Sequence, residues 1–411
     1  MAALHCLGVV RLECQHLKPD LVMRTQFLPA RLFLLLGFLV LVPAAHAAKP
    51  VTVAQLEQIL ATDRGQSDRH VAGQLAGLTL TERLSAERLD RWESTFPGRR
   101  TQAALLLLAD DSAFLPLPAA DIANDPPPPL TEQGRIFGRV IEYASHTVHN
   151  LPNFLATRTT THFEAPLGEV LEQSRNGAAT GSIVPGLGTP NPLVESVNYL
   201  PLHLAARSSV PVAYRDGQEV RTAYTPSSLG LTTTGEFGQF LVIVISDAVH
   251  NRLSWGYWQR SPAGLVAVFR YQVPASGSHY GVVFRVAGED VASHPAYHGE
   301  IAVDPDSGNI RRLSTVSEME PPVQLIGSGM AVEYGPVVIG DRTYNCPLRG
   351  VAISKMPVMP GPGTPAAEDT PLQIRLNDVA FTGYHLFRAE ARILSQEELQ
   401  RLGKAPASPP Q

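Results

Sequence analysis

The chain has 411 residues, 44% hydrophobic and 17% charged, a globular rather than a disordered composition; its 35 prolines and 33 glycines predict short elements joined by many turns. A formal charge of −5 excludes a surface built for nucleic acid, because phosphate binding draws on clustered Lys and Arg. The doublets Arg99-Arg100 and Arg311-Arg312 are expected on solvated surface.

The first recognisable element is an export signal. Arg24 and Arg31 form a basic region, Leu32 to Val42 an eleven-residue apolar core, and Pro43 precedes Ala45-His46-Ala47, the small-x-small pattern of a signal-peptidase site. That core is shorter than the roughly 20 residues a membrane-spanning helix needs, so no stable span is expected after cleavage. Residues 1–22, with Glu13, Asp20, Cys6 and Cys14, sit awkwardly ahead of the signal, and Met23 is the expected start. Cleavage after Ala47 would leave 29 basic and 36 acidic residues and a periplasmic or secreted chain. Without a Cys at the cleavage site, lipid attachment is not expected. Cys346 would be the one remaining cysteine, which allows no internal disulfide and reads as a small buried hydrophobe.

Residues 50–115 read as a helical module. Thr52 can cap a helix carrying Val53, Leu56, Ile59 and Leu60 on one stripe, Ser85 can cap Ala86 to Glu93, and Arg100 to Ala109 supplies a further helix. Residues 116–130, with the run Pro126 to Pro129, read as a stiff spacer and domain boundary. From Thr131 to about Asn150 a helix places Phe137, Ile141, Ala144, Val148 and Leu151 on one face. Phe154 to Phe163 alternates as a strand. Residues 174–192 read as a Gly/Pro loop, Val194 to Leu204 as a strand, and Val210 to Tyr224 as a hairpin turning at Asp216-Gly217. Gly238 to His250, apolar on nearly every side, is read as a helix by its length.

After it, Leu253–Arg260, Leu265–Val273, His279–Val286, Tyr297–Val303 and Ile310–Val316 form a meander, continued by Val323–Tyr334, Val337–Tyr344 and Leu348–Lys355. Met356 to Pro371 reads as a linker, Leu372 to Leu394 as closing strands, and 396–411 as a tail. Consecutive hairpins without βαβ alternation predict an α+β class: a helical module, then over 131–395 a curved antiparallel sheet packed on helices, one face covered.

Glu142, His146 and His149, at i, i+4 and i+7, could offer zinc a carboxylate and two imidazoles. They lie opposite the apolar stripe, however, and solvated surface is the expected reading. His279, His294 and His298 could converge with Glu289 or Asp290, though their spacing matches no metal motif. Asp304-Pro-Asp-Ser-Gly308-Asn309 places oxygens as a calcium loop would, but its glycine falls one position early and Thr315 stands where a bidentate Glu belongs, so a turn is expected. Gly277-Ser278-His279-Tyr280-Gly281 and Gly327-Ser328-Gly329 lack the nucleophile-elbow spacing, and Gly186-Leu-Gly188 lacks the Lys of a phosphate loop. Trp255, Tyr257 and Trp258 are candidate ligand-binding rings, with Trp255 and Tyr257 on one strand face and Trp258 on the other. No cofactor is expected.

Leu151-Pro152-Asn153-Phe154 before a Thr-rich strand, and Tyr297-His298-Gly299-Glu300-Ile301-Ala302-Val303-Asp304 with its Ser307-Gly308 turn, resemble a group of uncharacterised exported bacterial proteins. Residues 131–394 are similar in pattern to the lipoprotein-carrier (LolA-like) half-barrel. The resemblance implies a non-enzymatic envelope protein that binds an apolar, lipid-like ligand or acts as a scaffold, with a lipid, a lipoprotein or an envelope protein as partner. Two alternatives stand beside it: a hydrolase or metal-dependent enzyme using the His and acid residues, and a structural partner acting through the helical module.

Overall fold

A computed structural model describes residues 9–12, 48–147, 151–165, 202–220, 231–233, 235–286, 289–319, 327–357 and 372–387. The loop expected at 174–192, the tail and the signal core lie outside these residues. So do His149, nearly all of the strand expected at Val194–Leu204, the end of the hairpin at 221–224 and most of the linker expected at Met356–Pro371.

The front of the chain folds around its own core. Helices α1 (Val53–Thr62), α2 (Asp68–Leu75), α3 (Ala86–Thr95) and α4 (Arg99–Asp111) surround a short parallel pair, β2 (Lys49–Val51) and β3 (Leu78–Leu80). Leu56, Leu60, Val71, Leu75, Leu89, Trp92 and Leu105 fill the centre. Thr52 caps α1 as expected, in a reciprocal box with Gln55. Ser85 holds the cap position of α3, but its hydroxyl makes no cap bond. The start of α4 is satisfied from elsewhere: the Asp68 carboxylate accepts from the N–H groups of Arg100 and Thr101, at 3.2 and 2.8 Å. The Thr101 bond above all lowers the Asp68 pKa. A Cβ on Gly98 would lie 2.2 Å from that carboxylate, so the cap depends on glycine there.

The rest is α+β, as expected. Ten antiparallel strands form one curved sheet that does not close. In sheet order they are β6 (Gln218–Val220), β5 (His203–Arg215), β4 (Phe154–Glu164), β16 (Leu372–Leu386), β15 (Arg342–Pro357), β14 (Gly327–Ile339), β13 (Ile310–Glu318), β12 (Ala296–Val303), β9 (Gly264–Val273) and β8 (Arg252–Ser261). The β5–β6 turn is at Asp216-Gly217, both at positive φ, as a two-residue hairpin requires. The strand expected over Val337–Tyr344 is instead the end of β14, a turn at Gly340-Asp341, and the start of β15; Gly340 takes φ +69° there.

Helices lie on both sheet faces rather than one. Helix α5 (Leu130–Glu142), followed by a π-helical turn over Tyr143–Thr147, and helix α6 (Gln239–His250) cover one face. Phe240, Leu241, Val244, Ile245 and Ala248 of α6 pack there on Phe269, Tyr271, Tyr297, Ile301, Leu313 and Val332. The inward stripe of α5 is Ile136, Phe137, Val140, Tyr143 and Ala144, while the expected Ile141 is 42% exposed. Ile136 and Val140 share the 3.6-residue period just as well, and they are the pair the sheet buries. The opposite face, over β13 to β16, receives the end of α4 and the turn after it, where Leu107, Ala113 and Phe114 meet Val316, Val351, Ile353 and Leu376. The helical module is therefore the second cover of the sheet.

The proline-rich stretch between the two is more than a spacer. Ile122 pairs with Gln259, the Ala123 N–H donates to the Trp258 carbonyl, and the Trp258 indole donates to the Pro126 carbonyl. It meets the outer edge of β8 at Trp258 and Gln259. A second, four-stranded sheet has the order β11 (Glu289–Ser293), β10 (Gly281–Val286), β1 (Val9–Leu12) and β7 (Leu231–Thr232).

Candidate functional site

The three candidate rings divide differently from the expected arrangement. A bulge at Gly256 shifts the register of β8, so that Trp255 faces Phe269, Tyr257 faces Val268 and Trp258 faces Ala267. Trp255 and Trp258 consequently share the α6 side, in edge contact at 4.8 Å, and Tyr257 is alone on the other. A period of two cannot register one inserted residue. Trp255 also stands edge-on to Phe269 at 5.3 Å, while the Tyr257 hydroxyl donates to Glu300 at 2.9 Å. Each ring is half-buried with a partner in the chain itself.

Glu142 and His146 are exposed, and the His146 Nδ1 lies 3.1 Å from the backbone carbonyl of Glu142 rather than its carboxylate. The π turn beginning at Tyr143 also alters the spacing on which a shared face depended. Among the described residues no group of three His, Cys, Asp or Glu side chains is placed to hold a metal. In the Asp304 turn, one carboxylate oxygen accepts from the N–H groups of Asp306 and Ser307 and from the Ser307 hydroxyl, with Gly308 at φ +74°. Those oxygens serve the turn.

His279 does find an acid, Asp247; the side chains of Glu289 and Asp290 lie outside the described ones. Its Nδ1 is 2.6 Å from Oδ1 of Asp247, and its backbone N–H donates to Oδ2 at 2.8 Å. The Tyr297 hydroxyl donates to the same Oδ2 at 2.7 Å. The Asp247 carboxylate is 1% exposed and the His279 ring 78% exposed. With the ring neutral, its proton would sit on the Nδ1 that faces Asp247, and Nε2 would then be the ring's acceptor. Burial first, and the bond to Asp247 second, drive the Tyr297 hydroxyl far above the phenol range. One sequence signal pointed here: Asp247 is the lone charge in the apolar run from Phe240 to Val249.

A second constellation joins the helical module to the sheet. Facing pairs on adjacent strands put Arg312, Glu333 and Arg349 in one row, directly under the end of α4. Arg349 reaches Asp110 of α4 with one nitrogen and Asp378 of β16, at 2.7 Å, with another. Arg312 donates to the Ala113 carbonyl at 2.5 Å, so it is an interface residue and not the solvated one expected. Burial, reinforced by Arg83, lowers its pKa to about 10. The Asp110 carboxyl is fully enclosed and pushed well above its usual range by burial, against the pull of Arg349. Asp111, partly exposed as a residue, has one enclosed oxygen without a partner among the described residues, and burial raises it to about 8. Arg83, Arg312, Glu333 and Arg349 line a small cleft at this junction, and a second is lined by Tyr143, Phe237, Leu241, Tyr334 and Asn345.

Cys346 is fully buried, and burial raises its thiol to about 12, leaving it a hydrophobe. Among the described residues no helix is long and apolar enough to cross a membrane. No family, curated protein or solved structure matches the chain.

Proposed function

We propose that the protein is an exported envelope component that works as a rigid, non-catalytic scaffold. The observation that carries this reading is the occupation of both sheet faces by the chain's own helices. The face that would line a lipid cavity in a carrier carries instead the buried Phe240, Leu241, Val244 and Ile245 of α6. The opposite face is engaged with the module through Arg312 and Arg349. Partners then meet edges, turns and outer helix faces. Native mass spectrometry of the exported product tests this, with the expected mass being that of the chain cleaved after Ala47 and nothing bound. A stoichiometric lipid would instead make it a carrier.

A second reading is favoured by the Asp247–His279 pair, an exposed imidazole held through Nδ1 by a buried carboxylate, as a general base would be. Hydrolysis of activated esters that is lost in His279→Ala and retained in Trp255→Phe would support it. Equal rates in both variants would remove it.

A further inference from the structure

The small sheet has an inner strand that the exported chain would lack. β1 runs parallel to β10, with Val9 opposite Gly281 and Leu12 opposite Phe284, and antiparallel to β7, with Arg11 opposite Thr232. Among the described strands it alone joins β7 to the β10–β11 hairpin. Export removes it if the signal is cleaved after Ala47, and a start at Met23 means it is never made. In both cases β7 and β10 are left facing each other across the width of one strand, about 10 Å at ~4.8 Å per strand spacing. Each then presents unpaired N–H and C=O groups.

The walls of this gap are held by contacts that do not involve β1. Val282 of β10 is wholly buried in the α6 core, and Tyr280 just before it packs on Phe240 at 6.1 Å and on Tyr297 at 5.3 Å. Next to β7, the Thr233 hydroxyl bonds Glu236 at 2.6 Å and accepts from Arg158 at 2.7 Å, while Arg158 and Glu236 form an ion pair at 3.0 Å. β10 and the residue that follows β7 are thus held by the main body of the protein. An edge pair so held is a preformed site for strand addition, in which backbone hydrogen bonds supply affinity.

We propose that the gap between β7 and β10 accepts an extended, proline-free apolar segment of a partner polypeptide as its inner strand, with the residues of β1 marking the chemistry it takes. The proposal rests on the export reading, and its test separates the two. The exported product is purified, its N-terminus sequenced, and a fluorescein-labelled peptide of residues 7–13, Leu-Gly-Val-Val-Arg-Leu-Glu, titrated into it by anisotropy. A control peptide carries Val10→Pro and Leu12→Pro, which remove two backbone donors without touching the protein. The expected result is an N-terminus after Ala47, one peptide per chain, and at least tenfold weaker binding of the control. Equal binding of both peptides, or of neither, to that product overturns the gap as a site. If residues 9–12 prove to be retained, exclusion of the peptide from that product, with entry restored by Val10→Pro and Leu12→Pro in the chain itself, upholds the gap while removing the export reading. A dimer of the cleaved product that the peptide dissociates would name a second copy as the occupant and overturn the partner assignment.

Discussion

Gly256 shows how one missing side chain sets the orientation of its neighbours. A Cβ there would lie 2.9 Å from the Val268 carbonyl, so the bulge that reverses Tyr257 and Trp258 depends on the glycine. Gly256→Val should cost about 1–3 kcal/mol by forced backbone movement, seen as a lower urea midpoint with altered near-ultraviolet dichroism from Trp255 and Trp258. His162 is a second telling residue: buried, it places Nδ1 2.7 Å from Asn377 Oδ1, and burial lowers its pKa. A depressed value means the folded state resists protonation. Stability contributed by neutral His162 should therefore be present above the unfolded value of about 6.5 and be lost as pH falls below it. His162→Gln should flatten that acid limb in urea melts repeated between pH 7.5 and 5. Neither residue was legible beforehand, since a bulge breaks the alternation used to read a strand and His162 lies in a run with threonines on both faces, where alternation does not mark the buried one. Asp247 was legible in part: a lone carboxylate inside an apolar helix must find donors, but which ones came only with the fold.

Between elements, the contact of α4 with β15 and β16 is the most consequential and was the least foreseeable. The strands were readable because hairpins are local; Asp110 and Arg349 are separated by 239 positions, and nothing in periodicity links them. Removing Arg349 strands two enclosed carboxylates. Arg349→Met should accordingly destabilise by about 3–5 kcal/mol, measured as a loss in equilibrium urea unfolding. Arg349→Met combined with Asp110→Leu and Asp378→Leu should recover much of it, because an apolar contact of similar volume can replace a buried ion set. The start of α4 illustrates the same limit: its cap is Asp68 of another helix, whereas the cap of α1 is Thr52 next in sequence and was read directly.

Across the whole molecule, the module and sheet form one unit whose junction responds to pH. Asp111 is raised to about 8 by burial, so the folded state favours its protonated form. A raised carboxyl contributes stability that is complete below the unfolded value near 4 and declines as pH rises toward 8. Between pH 6.5 and 8, above the range of His162, stability should fall by up to about 1 kcal/mol per pH unit, and Asp111→Asn should remove that slope in guanidinium titrations. The class, the antiparallel order of the meander and the helical front were all present in hydrophobic spacing. The second covered face was not, because it depends on where an independent module docks. The proline stretch has one consequence of its own. By pairing Ile122 and Ala123 with β8 at Trp258 and Gln259 it caps part of that edge, and the prolines that follow offer no N–H to an incoming strand. Among the described strands of the ten-stranded sheet, pairing with a further strand is then left to the β5–β6 flank, and two copies meeting there would occupy each other's open edge of that sheet. Association through that flank would then be self-limiting, closing at a two-fold pair instead of extending the sheet.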